Sequence, residues 1–251
     1  MGPPDGASGG LIPDPAVLVA AFVVTILAVA LQRVVGIGMA IISVPILALL
    51  DPVLAPVPQT LISVPMVLYM AWHERRSIEL ASVRWILVGR LPGALLGLWV
   101  ITVLDGDALA VAMGVLVMLA AIVVWRGVAI RRRRPISLIA GIVSGFMALV
   151  AAIGGPPLAL LYRNSPPATV RSSLAAVFAF GVIITIIVRG TTGNISGDEL
   201  RVATVLLPAV PLGLVVGGWA APRVKDATLR NAVLILAIVA SIGLIGRTLL
   251  G

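Results

Sequence analysis

The sequence predicts an all-α, polytopic integral membrane protein of about 8–10 membrane helices, in two repeated and inverted halves, each with a glycine-broken helix. Three observations carry this prediction. Apolar residues make up 60% of the 251 positions and charged residues only 11%, with a mean hydropathy of +1.17. A soluble domain carries about 25% charged residues. A glycine-broken apolar segment occurs twice, as Gly36-Ile37-Gly38 followed by Pro45, and as Ile153-Gly154-Gly155-Pro156-Pro157. Finally, Gly93-Ala94-Leu95-Leu96-Gly97-Leu98-Trp99 matches Gly213-Leu214-Val215-Val216-Gly217-Gly218-Trp219, and the same offset pairs Leu109 with Leu229.

The elements follow in order. Residues 1–14 form a small, polar extracytoplasmic tail; its first ten residues hold no Lys or Arg, so they lack the charged start of a signal peptide. Repeat 1, residues 15–127, contains apolar runs at 15–34, 38–50, 57–72, 83–104 and 108–125. A basic cytoplasmic linker at 128–135 holds Arg131–Arg134. Repeat 2, residues 136–250, contains the rest of a run beginning at 135 and ending at 152, then 155–162, 168–188, 200–221 and 229–249. The runs 38–50 and 155–162 are short for independent spans, so each reads as a hairpin arm or a thin, tilted span.

The net charge of +8 and pI near 11.5 do not point to nucleic acid, because the arginines lie mostly in short segments between apolar runs. That is the mark of topology selection. If each repeat makes an odd number of side changes, the halves are inverted. Arg33, Arg75, Arg76, Arg84, Arg126, Arg131–Arg134, Arg163, Arg171, Arg223, Lys225 and Arg230 then share the cytoplasmic side. Only Arg189, Arg201 and Arg247 fall outside, with both termini. The pairs Gly93/Gly97 and Gly213/Gly217 read first as close helix packing.

Missing chemistry narrows function. All ten acidic residues lie in the tail, in loops or at span ends; there is no cysteine and one histidine, His73, beside a charged loop. Paired carboxylates, a Ser–His pair, HExxH and a phosphate loop are all absent, so no catalytic residue, metal site or cofactor is expected. The carboxylate relay that usually couples protons or sodium has no candidate deep in a span.

What the spans keep is cationic or neutral-polar, which suits a small anion. Backbone cannot be left unsatisfied in a bilayer, so broken helices survive only against protein or a polar cavity, and paired breaks point to a transport site. The expected cradle is Gly36, Gly38, Gly154, Gly155, Pro156 and Pro157, with Arg33, Gln59, Thr60, Arg171 and Ser172 around it. Free N–H groups at the breaks would add partial positive charge. Competing readings stay open: Arg33 and Arg90 can snorkel to headgroups, in-span hydroxyls usually bond backbone carbonyls, and the breaks can be plain kinks.

These residues resemble a family. The GxG break with Pro45 seven residues after Gly38, and the Ile153–Leu161 stretch preceded by Ala152, resemble the sulfite exporter TauE/SafE family, also called toluene-sulfonate uptake permeases. Met39 departs from it, standing where the family often has another glycine. The resemblance implies a permease of the cell (plasma or inner) membrane, several members being linked to export or uptake of sulfite, sulfonates and other organosulfur anions. Together these give a permease for a small anion, an organosulfur oxyanion or a carboxylate first, working by alternating access between the repeats. The expected partners are that anion and the lipid bilayer; self-association into a homo-oligomer stays open. The alternative is a non-transporting membrane scaffold or subunit that anchors a partner protein.

Overall fold

The computed structural model describes residues 13–36, 39–73, 75–127, 130–223 and 226–250. Among these there is no strand. The helices are α1 (Pro15–Val35), α2 (Met39–Leu50), α3 (Val57–His73), α4 (Leu80–Val103), α5 (Gly106–Arg126), α6 (Arg134–Ala151), α7 (Gly155–Tyr162), α8 (Pro167–Thr191), α9 (Gly197–Leu206), α10 (Ala209–Ala220) and α11 (Asp226–Leu250). Among the described residues six helices are long and apolar enough to cross a membrane, and the α9–α10 pair, bent by 40°, would make a seventh. The predicted run at 200–221 is therefore interrupted near Pro208, whose missing N–H cannot continue the ladder. Large apolar side chains such as Leu95, Trp99, Val215, Trp219 and Val239 are exposed around the bundle, the outer surface that a bilayer covers.

Local sequence explains where the helices start and stop. The Asp14 carboxylate accepts from Ala16 N–H and Pro15 occupies the first turn, so α1 begins there. Asp105 caps α5 in the same way through Ala108 N–H, and Ser196 with Glu199 forms a capping box on α9. Gly36 ends α1 in the left-handed conformation (φ 78°). Ala152 ends α6 in the same way (φ 57°), the one non-glycine residue with positive φ among the described residues.

Glycines let the principal helix pairs meet backbone to backbone. A Cβ on Gly93 would stand 2.1 Å from Ile142 O, and one on Gly141 would stand 2.2 Å from Ile86 O, so α4 and α6 touch through both glycine faces. Gly213 and Gly217 bring α10 onto the α1 backbone somewhat less tightly, at 2.7 Å from Ile26 O and 2.6 Å from Ala30 O. The close-packing reading of these glycines holds. The pattern also crosses between the halves of the sequence. α4 packs on α6 and α10 on α1; α5 packs on α7 and α11 on α2; α3 meets α8.

The arginines gather by end. Arg132 pairs with Glu79 and lies over Tyr162, Arg134 lies near Trp85, and Ile130 N–H donates to Leu160 O. The end of α7, the start of α4 and the residues before α6 thus share one end of the bundle. At the opposite end Arg189 donates to Leu149 O and Arg247 to Leu49 O.

Candidate functional site

Two interrupted helices meet inside the bundle, and a polar side chain from the preceding helix holds each interruption. At the first, Gln32 donates from Nε2 to Gly36 O (2.9 Å) and accepts at Oε1 from Met39 N–H (3.1 Å), bridging the end of α1 and the start of α2. Gly38, an expected cradle residue, lies outside the described residues. At the second, Ser144 on α6 donates from Oγ to Gly154 O at 2.6 Å. Buried backbone at membrane depth needs such partners, and these side chains supply them.

Between the interruptions is a cavity of about 80 Å3. That is well above the roughly 10–15 Å3 that a single water requires, so the cavity has room for water or one small oxyanion. Gln59 and Thr60 on α3 face it, as do Gly154 and Gly155, so four of the expected residues come together. Arg90 joins them from α4. It is 3% exposed, so it does not snorkel to a headgroup.

Arg90 has a built seat. Its Nη1 donates to Ser144 Oγ at 2.7 Å, and Ser144 passes the bond on to Gly154 O. Its guanidinium lies flat against Gly181 on α8, where a Cβ would fall 2.1 Å from Nη2. Gly145 brings α6 onto the Arg90 backbone, where a Cβ would meet Arg90 O at 2.5 Å. Among the described residues no Asp or Glu lines the cavity, so the buried positive charge has no carboxylate from them beside it there.

The other expected residues lie elsewhere. Arg33 and Arg171 line a second pocket of about 180 Å3 at the basic end, with His73 and Met70. Arg33 also lies over the Tyr69 ring at 5.4 Å, and His73 stacks on the same ring. Gly36 packs on Arg171: a Cβ there would meet Arg171 Cγ at 3.0 Å. Ser172 is fully buried and donates to Thr169 O at 3.3 Å. Pro156 and Pro157 lie in the first turn of α7 and line neither pocket. They lack N–H groups, so the second interruption offers fewer backbone donors than a broken helix suggests.

Ser144 was not legible as a site residue, since a serine ten positions before a glycine pair carries no motif. Arg90 was visible as an arginine inside an apolar run, but only its burial separates it from a snorkelling residue. No group of three His, Asp or Glu residues that could hold a metal occurs among the described residues.

A cavity that holds a buried guanidinium and amide among apolar side chains at paired helix breaks, in a bundle with an apolar outer surface, marks a polytopic membrane protein. The family model for the sulfite exporter TauE/SafE matches residues 21–244, nearly the whole chain, and the protein belongs to that family. Members of the family are membrane transporters rather than enzymes. No curated protein and no solved structure gave a match.

Proposed function

We propose that the protein is a permease for a small anion, an organosulfur oxyanion such as sulfite or a sulfonate, or a carboxylate, bound at the central cavity. The observation that carries this is the Arg90 guanidinium, buried in a cavity with no carboxylate among the described residues of its lining. A buried charge left without an opposite partner is strongly unfavourable, and a bound anion would supply one. The gathering of Arg33 and Arg171 at the basic end supports a role for that pocket as the approach to the cavity.

The exchange of packing partners between the two halves supports alternating access, with one repeat rocking against the other around a fixed site. Arginines crowd the end that holds residues 130–134 and 163, which by the positive-inside rule faces the cytoplasm of a plasma (inner) membrane.

The test is flux. Protein reconstituted in vesicles should move sulfite or a sulfonate at matched ionic strength, and choline should not move. Arg90→Gln should remove the anion flux while the protein still inserts and purifies. Vesicles that pass no anion would leave the scaffold reading in its place.

A further inference from the structure

The central cavity has an unequal supply of donors and acceptors, and that imbalance says what its ligand must carry. The hydroxyls that line it have spent their protons on backbone: Thr60 donates to Pro56 O (3.1 Å), Ser63 to Thr60 O (2.6 Å) and Thr185 to Gly181 O (3.0 Å). A hydroxyl whose proton is committed can only accept from a ligand. Pro156 and Pro157 bring no N–H to the second interruption, and Met39 N–H is taken by Gln32. The lining side chains that carry nitrogen donors are the Arg90 guanidinium, the Gln32 amide that bridges the first interruption, and one further amide.

That amide is Gln59. It is 2% exposed, it lines the cavity, and neither its Nε2 nor its Oε1 has a partner among the described residues. Leaving both ends of a buried amide unmade is unfavourable, and an apolar residue of similar size would avoid the cost. The nitrogen can donate to an oxyanion; the oxygen can only accept, so it calls for a donor on the ligand. Among the described residues Arg90 is the one charged side chain in the lining. A second negative charge on the ligand would find no counter-charge in this low-dielectric setting.

We infer that Gln59 and Arg90 together select a monoanion that carries a hydrogen-bond donor besides its oxyanion group, of the hydroxy-substituted sulfonate or carboxylate type. Arg90 holds the charge, and Gln59 reads the second group while bonding the first. This rests on the reading of the cavity as an anion site.

The experiment compares three probes at matched ionic strength in vesicles holding the full-length protein: methanesulfonate, 2-hydroxyethanesulfonate and ethane-1,2-disulfonate. The wild type should move the hydroxy-substituted monoanion about fivefold to tenfold faster than methanesulfonate at subsaturating concentration, the worth of one hydrogen bond. The disulfonate should be slowest. Gln59→Leu should bring the ratio of the two monosulfonates to about one, and Gln59→Met should do the same if the leucine variant fails to fold. Either variant should melt no lower than wild type without ligand, because an unpaired amide has been removed. Flux that depends on Arg90 together with an unchanged ratio in both Gln59 variants would overturn this inference alone, leaving water as the amide's partner. Disulfonate flux equal to that of the monosulfonates would overturn the single-charge selection. If the wild type moves no anion, both the site and this inference fall.

Discussion

Arg90 on α4 donates from Nη1 to the Oγ of Ser144 on α6 at 2.7 Å, across a helix pair that meets backbone to backbone. The same Oγ donates to Gly154 O at 2.6 Å. One hydroxyl thus fixes the buried cation and ties off the interruption before α7. Position of the charge and shape of the break are set together.

Ser144→Ala should therefore affect stability and flux at once. It leaves one guanidinium N–H without its partner and takes the side-chain bond away from Gly154 O, which costs about 1–3 kcal/mol. Thermal unfolding in detergent should show the loss, and anion flux should fall with it. A variant that melts and transports like wild type would show that neither group depends on Ser144.

Gly181 should tolerate no side chain. Its missing Cβ is the space the guanidinium fills, 2.1 Å from Nη2. Gly181→Ala should displace Arg90 and lower anion flux by tenfold or more, for about 1–3 kcal/mol of overpacking. Gly190→Ala, also on α8, is the control, because its Cβ would meet nothing nearer than Ile195 Cδ1 at 3.9 Å.

Gly93→Ala should loosen α4 from α6. Its Cβ would run into Ile142 O at 2.1 Å, and backbone cannot rotate away as a side chain can. Unfolding should begin well below the wild-type temperature. Gly246→Ala, with open space around the new methyl group, should unfold close to wild type.

Ala152→Gly should stabilise. The left-handed conformation at φ 57° costs an alanine roughly 1–2 kcal/mol, while a glycine loses about 0.5–1 kcal/mol more entropy on folding. The net gain is about 0–1.5 kcal/mol, read as a raised melting temperature. Lower stability would mean that the Ala152 methyl group makes contacts worth more than the strain.

Topology can be read with single cysteines, since the chain has none of its own. A cysteine at Asp107, in the first turn of α5, should react with an impermeant thiol reagent on intact cells. One at Arg132 should react only after the membrane is opened. The reverse labelling would overturn the cytoplasmic placement of residues 128–135.

Composition and pattern were enough for an all-α membrane protein, because a bilayer forces long apolar runs and leaves few charges to hide. The sites of both interruptions were equally legible, since glycine and proline break helices through their own backbone chemistry. Gln59, Thr60, Gly154 and Gly155 could be picked out for the cavity because a helix start and a helix break can be read along the chain. The division between Arg90 and Arg33 could not. Both are arginines near apolar sequence, and local chemistry treats them alike. Only packing settles them: Gly145 and Gly181 come from helices far along the chain to close around Arg90, whereas Arg33 emerges near Gly217 and Gly218 at the basic end. Burial is a property of what surrounds a side chain, and those surroundings are assembled from distant segments, so the seat of the buried charge belongs to the tertiary structure alone.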